Sequence, residues 1–166
     1  MIRTATPADV PTILSLIQQL ADYERASDEV KATEAQLHTA LFGPDAVASC
    51  LLAVRDGGPG EEVVGFALWF RTFSTWLGVA SIYLEDLFVE PDARGGGYGR
   101  ALLTALAAVA VERGYGRVEW SVLNWNEPAQ GFYRRLGARP QDEWTVWRLT
   151  GAALAELAST RPPAHE

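Results

Sequence analysis

Four glycines crowd into Arg94-Gly95-Gly96-Gly97-Tyr98-Gly99-Arg100, between an apolar run ending at Val89 and a long apolar-faced segment from Ala101 to Val111. No other stretch limits the fold as much. Strand, glycine turn and helix in that order form a cradle, because N–H groups at a helix start converge on one point and the helix dipole adds positive potential. Glycine alone lets another molecule come so close to the backbone. The stretch therefore predicts a pyrophosphate site. Its spacing excludes two common owners. A P-loop needs a lysine after its last glycine, and the sole lysine is Lys31. A dinucleotide fingerprint needs a third glycine, which falls on Arg100 counting from Gly95 and on Leu102 counting from Gly97.

A chain of 166 residues suits one domain with a real core, and the expectation is a single domain over 1–158 followed by a flexible tail, 159–166. No apolar run reaches the roughly 20 residues of a membrane span. The N-terminus lacks the pattern of a signal peptide, and one cysteine, Cys50, cannot form an internal disulfide. Together these predict a cytoplasmic protein with no membrane partner. The net charge of -7 speaks against nucleic acid and fits a cationic substrate, or simply a soluble acidic protein.

In chain order the pattern predicts a strand at Ile2–Ala5 and a helix capped by Thr6, with Ile13, Leu16, Ile17 and Leu20 on one face. An acidic loop spans Asp22–Glu29, and a helix capped by Thr33 runs to Phe42. Strands at Ala48–Val54, Val63–Phe70 (reaching towards Phe73) and up to Val89 form an antiparallel meander, joined by turns at Gly57–Gly60 and Ser74–Gly78. After the glycine turn come a helix to Arg113, a strand at Val118–Leu123 parallel to the one before it, a helix from Asn126 to Leu136, a last strand at Trp144–Leu149 and a short helix at Gly151–Leu157.

Arg94-x-x-Gly-x-Gly, following an antiparallel strand and opening an amphipathic helix, resembles the acetyl-CoA signature of the GCN5-related N-acetyltransferases. Tyr83-Leu84-Glu85-Asp86-Leu87-Phe88-Val89, Trp125-Asn126-Glu127-Pro128-Ala129 and Phe132-Tyr133-Arg134-Arg135-Leu136-Gly137 are similar to the diamine and thialysine branch. So are Ile2-Arg3 and Tyr23-Glu24. The resemblance covers residues 2 to about 150. It implies an α+β fold with a mixed, mostly antiparallel sheet, helices on both faces and splayed strands that form the acetyl-CoA cleft. It also implies that Leu87, Phe88 and Val89 bind the pantetheine arm. Arg94, Gly95, Gly96, Gly97, Tyr98, Gly99 and Arg100 would hold the pyrophosphate, and Asn126, Glu127, Pro128, Ala129 and Tyr133 would line the far side. Relatives of this kind are homodimers that meet through their C-terminal strands, where Trp144 and Trp147 lie.

Acetyl transfer to an amine sets two chemical demands. An amine with a pKa of about 10 must lose a proton before it attacks, and the leaving thiolate gains from a proton donor. Tyr133 is the candidate acid; the competing reading is a core tyrosine beside Phe132. Glu85 is the candidate for holding the substrate ammonium and removing its proton through water, because a carboxylate in an apolar strand (Ile82, Leu84, Leu87, Val89) needs a reason. Asp86 is expected on the opposite face, and for both carboxylates a salt bridge to an arginine such as Arg94 is the competing reading. Tyr23 and Glu24 are expected to bind the acceptor with Glu85. Trp76 and Trp125 read as packing residues. His38 and His165 have no partners for metal or triad chemistry, Cys50 reads as buried and inert, and no metal is expected.

Polyamine-acetylating relatives carry a carboxylate just before the tryptophan of the third hairpin, whereas this chain has Ser74-Thr75 before Trp76. That departure speaks against spermidine and leaves room for a shorter amine, a lysine-like amino acid or an unrelated acceptor; the resemblance as a whole implies a small cationic amine acceptor, a diamine, polyamine or lysine-like amino acid. The alternatives are a protein lysine or N-terminus, or an acyl-CoA-binding module without catalysis, which would need neither Glu85 nor Tyr133.

Overall fold

The sheet grows by neighbours in sequence. In the computed structural model, which describes residues 1–55 and 60–161, β1 (Ile2–Thr4), β2 (Ser49–Arg55), β3 (Glu62–Ser74) and β4 (Val79–Val89) pair antiparallel in that order. β5 (Val118–Glu119) then joins β4 in parallel, through Ile82↔Val118 and Tyr83↔Glu119. The mixed, mostly antiparallel sheet is therefore the one expected. The turn at Gly57 to Pro59, residues 162–166 and His165 lie outside the described residues.

The chain divides into two compact units, Met1–Ser121 and Val122–Glu166. In the first, helices cover both faces of the sheet. α1 (Val10–Tyr23) and α2 (Glu34–Phe42) bury Ile13, Leu16 and Leu41 against Cys50, Leu52, Phe66 and Phe88. α3 (Tyr98–Glu112) buries Leu102, Leu106 and Ala110 against Ala67, Trp69, Ile82 and Leu84. Alternation along each strand serves both layers, as period-two side-chain direction requires.

The caps follow the sequence. Thr6 begins a single turn of 3₁₀ helix, Pro7–Asp9, ahead of α1, and the Asp9 carboxylate accepts from the Thr6 N–H (2.7 Å) and hydroxyl (2.8 Å). Arg3 clamps the same carboxylate through two bonds of 2.8 Å. Thr33 and Gln36 form a reciprocal capping box on α2. α1 ends in a Schellman-type turn in which Arg25 takes the left-handed conformation (φ 61°) and the Ala26 N–H donates to the Ala21 carbonyl.

In the second unit, α4 (Glu127–Arg135) and α5 (Gly151–Ser159) form as expected. The strand expected at Trp144–Leu149 does not. That segment carries no helix or strand, and Trp144, Val146 and Trp147 are 70%, 80% and 91% exposed. The segment belongs to none of the sheet's five strands, and a β-favouring composition without a place in a sheet does not give a stable strand. The strand expected at Val118–Leu123 is likewise cut to two residues, for a reason that lies in β4.

Candidate active site

β4 carries one residue too many. Leu68 pairs with Asp86 and Trp69 with Leu84, so Glu85 is the extra residue of a β-bulge. Ahead of it, Ala80 accepts from the Gly116 N–H and Ile82 donates to the Arg117 carbonyl, so even-numbered residues address β5. Beyond it the Glu90 N–H donates to the Val64 carbonyl, so even-numbered residues address β3. Leu87 and Val89 therefore turn their backbone groups to the edge that β5 no longer pairs. The bulge ends the parallel ladder after Tyr83 and opens a strand edge to any extended ligand arm.

The glycine turn follows directly. Pro91–Ala93 is a turn of 3₁₀ helix, Gly95 and Gly97 take left-handed φ values of 84° and 80°, and Gly97 caps α3. A side chain at either position would meet nothing within 4 Å, so the backbone conformation, not crowding, demands glycine, and the space above is clear. The first helical bond runs from the Ala101 N–H to the Gly97 carbonyl. The N–H groups of Tyr98, Gly99 and Arg100 thus have no partner within the helix and face outward at its positive end.

Arg94 does not reach towards that cradle. Its Nε donates to the Val89 carbonyl (3.0 Å), and its guanidinium lies 4.8 Å from the centre of the Tyr23 ring and 5.7 Å from that of Phe88. It joins the end of α1 to the strand and the turn.

The bulge also decides which carboxylate is covered. Glu85 is exposed, contrary to the expectation of a charge enclosed in an apolar strand. Asp86, half-buried, is the more covered of the two. The bulge moves it onto the face of Phe88, above α1, where desolvation and then the charges of Glu85 and Glu24 push its carboxyl up to about 6. Burial also raises the Glu24 carboxyl. Glu24, Glu85 and Asp86 thus form one electrostatic group. The salt bridge to Arg94 considered for Asp86 is absent among the described residues: Arg94 is engaged elsewhere. The sequence did signal the switch. Ile82 and Leu84 are even-numbered and Leu87 and Val89 odd-numbered, yet all four side chains pack on the α3 layer.

Other expectations fall out simply. Cys50 is buried, and desolvation pushes its thiol up to about 12, which keeps it protonated and inert. Trp76 is 87% exposed at the β3–β4 tip, outside the core. The buried Ser74 hydroxyl accepts from the Leu77 N–H (3.2 Å), so this position caps its own turn. Among the described residues no His, Cys, Asp or Glu cluster could hold a metal, and no helix is long and apolar enough to cross a membrane.

Within the second unit, buried Asn126 caps α4 by accepting from the Ala129 N–H (3.3 Å), with Glu127 and Pro128 in the first turn. Tyr133 sits on α4 beside Phe132, ring centres 5.3 Å apart. No α4 residue is fully buried, and Tyr133 and Phe132 are both half-buried.

Comparison with known proteins assigns the class. A model of the acetyltransferase (GNAT) family matches residues 13–138. The chain belongs to this family, and it is an N-acetyltransferase. It is 41% identical to the thialysine N-epsilon-acetyltransferase of Bos taurus, over 95% of this chain and 96% of that one. It is 36% identical to the L-ornithine N5-acetyltransferase of Arabidopsis thaliana, over 94% and 86%. Among solved structures, an integron cassette protein of V. cholerae superposes with a TM-score of 0.78 at 26% identity, covering 96% of this chain and 98% of the other. Enzymes of this family use acetyl-CoA as co-substrate.

Proposed function

We propose that this enzyme acetylates the side-chain amine of a small, lysine- or ornithine-like cationic acceptor. The observation that carries the reading is the acidic group of Glu24, Glu85 and Asp86, placed at the bulge where β4 opens. Three carboxylates there attract an ammonium before the acyl group is transferred. The thialysine and ornithine activities of the two relatives support the same acceptor class. Ser74 caps its own turn and neither it nor Thr75 puts a carboxylate ahead of Trp76, which favours a short amine over a long polyamine.

In this reading, the backbone groups of Leu87 and the Val89 N–H bind the pantetheine arm along the open edge; Phe88, expected with them, turns its backbone to β3, and the Val89 carbonyl is held by Arg94. The N–H groups from Gly95 to Arg100 take the pyrophosphate, and Asn126 to Ala129 line the coenzyme. Tyr23 and Glu24 hold the acceptor. Glu85 accepts the ammonium proton through water, and Asp86, with its raised carboxyl, is a second acceptor for it. The free amine attacks the thioester carbon, the carbon–sulfur bond breaks, and Tyr133 returns a proton to the leaving thiolate. No covalent enzyme intermediate and no metal enters the scheme. One catalytic domain, a cytoplasmic location and a homodimer joined through the exposed Trp144 and Trp147 complete the proposal.

The test is release of free thiol from acetyl-CoA against a panel of thialysine, L-ornithine, lysine, spermidine and a lysine-bearing peptide. The reading expects the amino acids to lead by at least about tenfold, roughly 1.4 kcal/mol of discrimination. A peptide or spermidine in first place would sink it.

A further inference from the structure

Arg94 touches three functional parts through one side chain. It opens the glycine turn, it donates from Nε to the Val89 carbonyl on the acyl-binding strand, and its guanidinium covers the Tyr23 ring beside Glu24. An arginine at a phosphate loop ordinarily turns its charge to the phosphate. Here the charge is folded inward. The backbone under Tyr23 and Glu24 is already fixed by the Schellman-type turn at Arg25, so the contact acts on the ring and not on the course of the loop.

We propose that Arg94 is a positioning residue that couples the two substrate sites: ordering of the glycine turn by coenzyme A fixes the Tyr23 ring for the acceptor, and an occupied acceptor side steadies the turn for coenzyme A. The inference rests on the acetyl-CoA reading of the glycine turn. Coupling of this kind is reciprocal, so each ligand tightens the other by the same factor. It also requires arginine. Lysine keeps the charge but has no Nε donor and no planar face to lay on a ring.

The experiment is calorimetric titration of the full chain with coenzyme A, with thialysine and, separately, with L-ornithine, each alone and with the other site saturated. Coenzyme A with an amine turns nothing over, so equilibrium constants are read directly. The wild type is expected to show about 5- to 20-fold mutual tightening with at least one amine. Tyr23→Phe, which keeps the ring, retains it. Tyr23→Leu and Arg94→Lys each bring it below about twofold, and the double variant loses no more than either single one, as expected for one shared contact. Equal tightening in Tyr23→Leu and the wild type overturns the proposal, and so does a wild type that binds both ligands independently. Arg94→Lys also loosens the hold on Val89. If it fails to bind coenzyme A, Tyr23→Leu, which leaves Arg94 in place, decides alone. Failure of the wild type to bind coenzyme A at all would instead refute the acetyl-CoA reading beneath the proposal.

Discussion

At neutral pH, Asp86 carries a charge that its surroundings disfavour, and Asp86→Asn isolates the cost. Desolvation, with the charges of Glu85 and Glu24, raises the carboxyl from 3.8 to about 6 in the folded protein. The folded chain therefore holds this proton to higher pH than the unfolded chain does. Stability falls as pH rises through that window, and above about 6 the whole penalty is in place. Two pH units correspond to an upper bound of about 3 kcal/mol. The side chain is only partly buried, and water screening reduces the expected value to about 1–2 kcal/mol. Asparagine has nearly the same shape and no charge at any pH, so any packing or hydrogen-bond cost it brings is constant. The assay is urea unfolding of wild type and Asp86→Asn at pH 4.5 and pH 8, followed by tryptophan fluorescence. Part of the penalty is already present at pH 4.5, above the unfolded value, so the stability difference in favour of Asp86→Asn should grow by about 0.3–1 kcal/mol between the two conditions. A difference that stays flat with pH would show that Asp86 is not held in a charge-averse site, and the acidic group would lose its central member.

Asp9→Asn should act in the opposite sense. Arg3 holds the Asp9 carboxyl well below the usual aspartate range, so its contribution is present above about pH 4 and disappears as pH falls further. Chemical denaturation at pH 7 should register a loss of about 1.5–3 kcal/mol that shrinks in acid. Gly97→Ala forces a side chain into left-handed backbone at the start of α3. It should raise the KM for acetyl-CoA and cost roughly 1 kcal/mol of stability, and an unchanged KM would count against the cradle. Tyr133→Phe and Glu85→Gln should each lower kcat/KM for the cationic acceptor by about 10²–10⁴-fold in steady-state assays. Full turnover in either variant removes its assigned role.

The glycine turn, both sheet-covering layers and the capped starts of the helices could be read from the sequence, because each depends on residues close in the chain. Gly97, Thr33 and Asn126 act on their own neighbours. What depends on a partner strand could not be read so directly. The parity switch from Leu84 to Leu87 is present in the sequence, but only the pairing with Leu68 and Trp69 turns it into a bulge at Glu85 and a half-buried Asp86. The same limit explains Trp144–Leu149: its composition favours a strand, and strand formation waits on a neighbour. The inward turn of Arg94 onto Tyr23 was also out of reach, since nothing local directs a long side chain across 71 residues of sequence.

Identification of the acetylated product tests the central claim most directly. Purified enzyme incubated with acetyl-CoA and thialysine or L-ornithine should yield one equivalent of free thiol per acetylated amine, with mass spectrometry placing the acetyl group on the side-chain nitrogen. Thiol release no faster than spontaneous hydrolysis, or acetyl found only on peptide lysines, would contradict it.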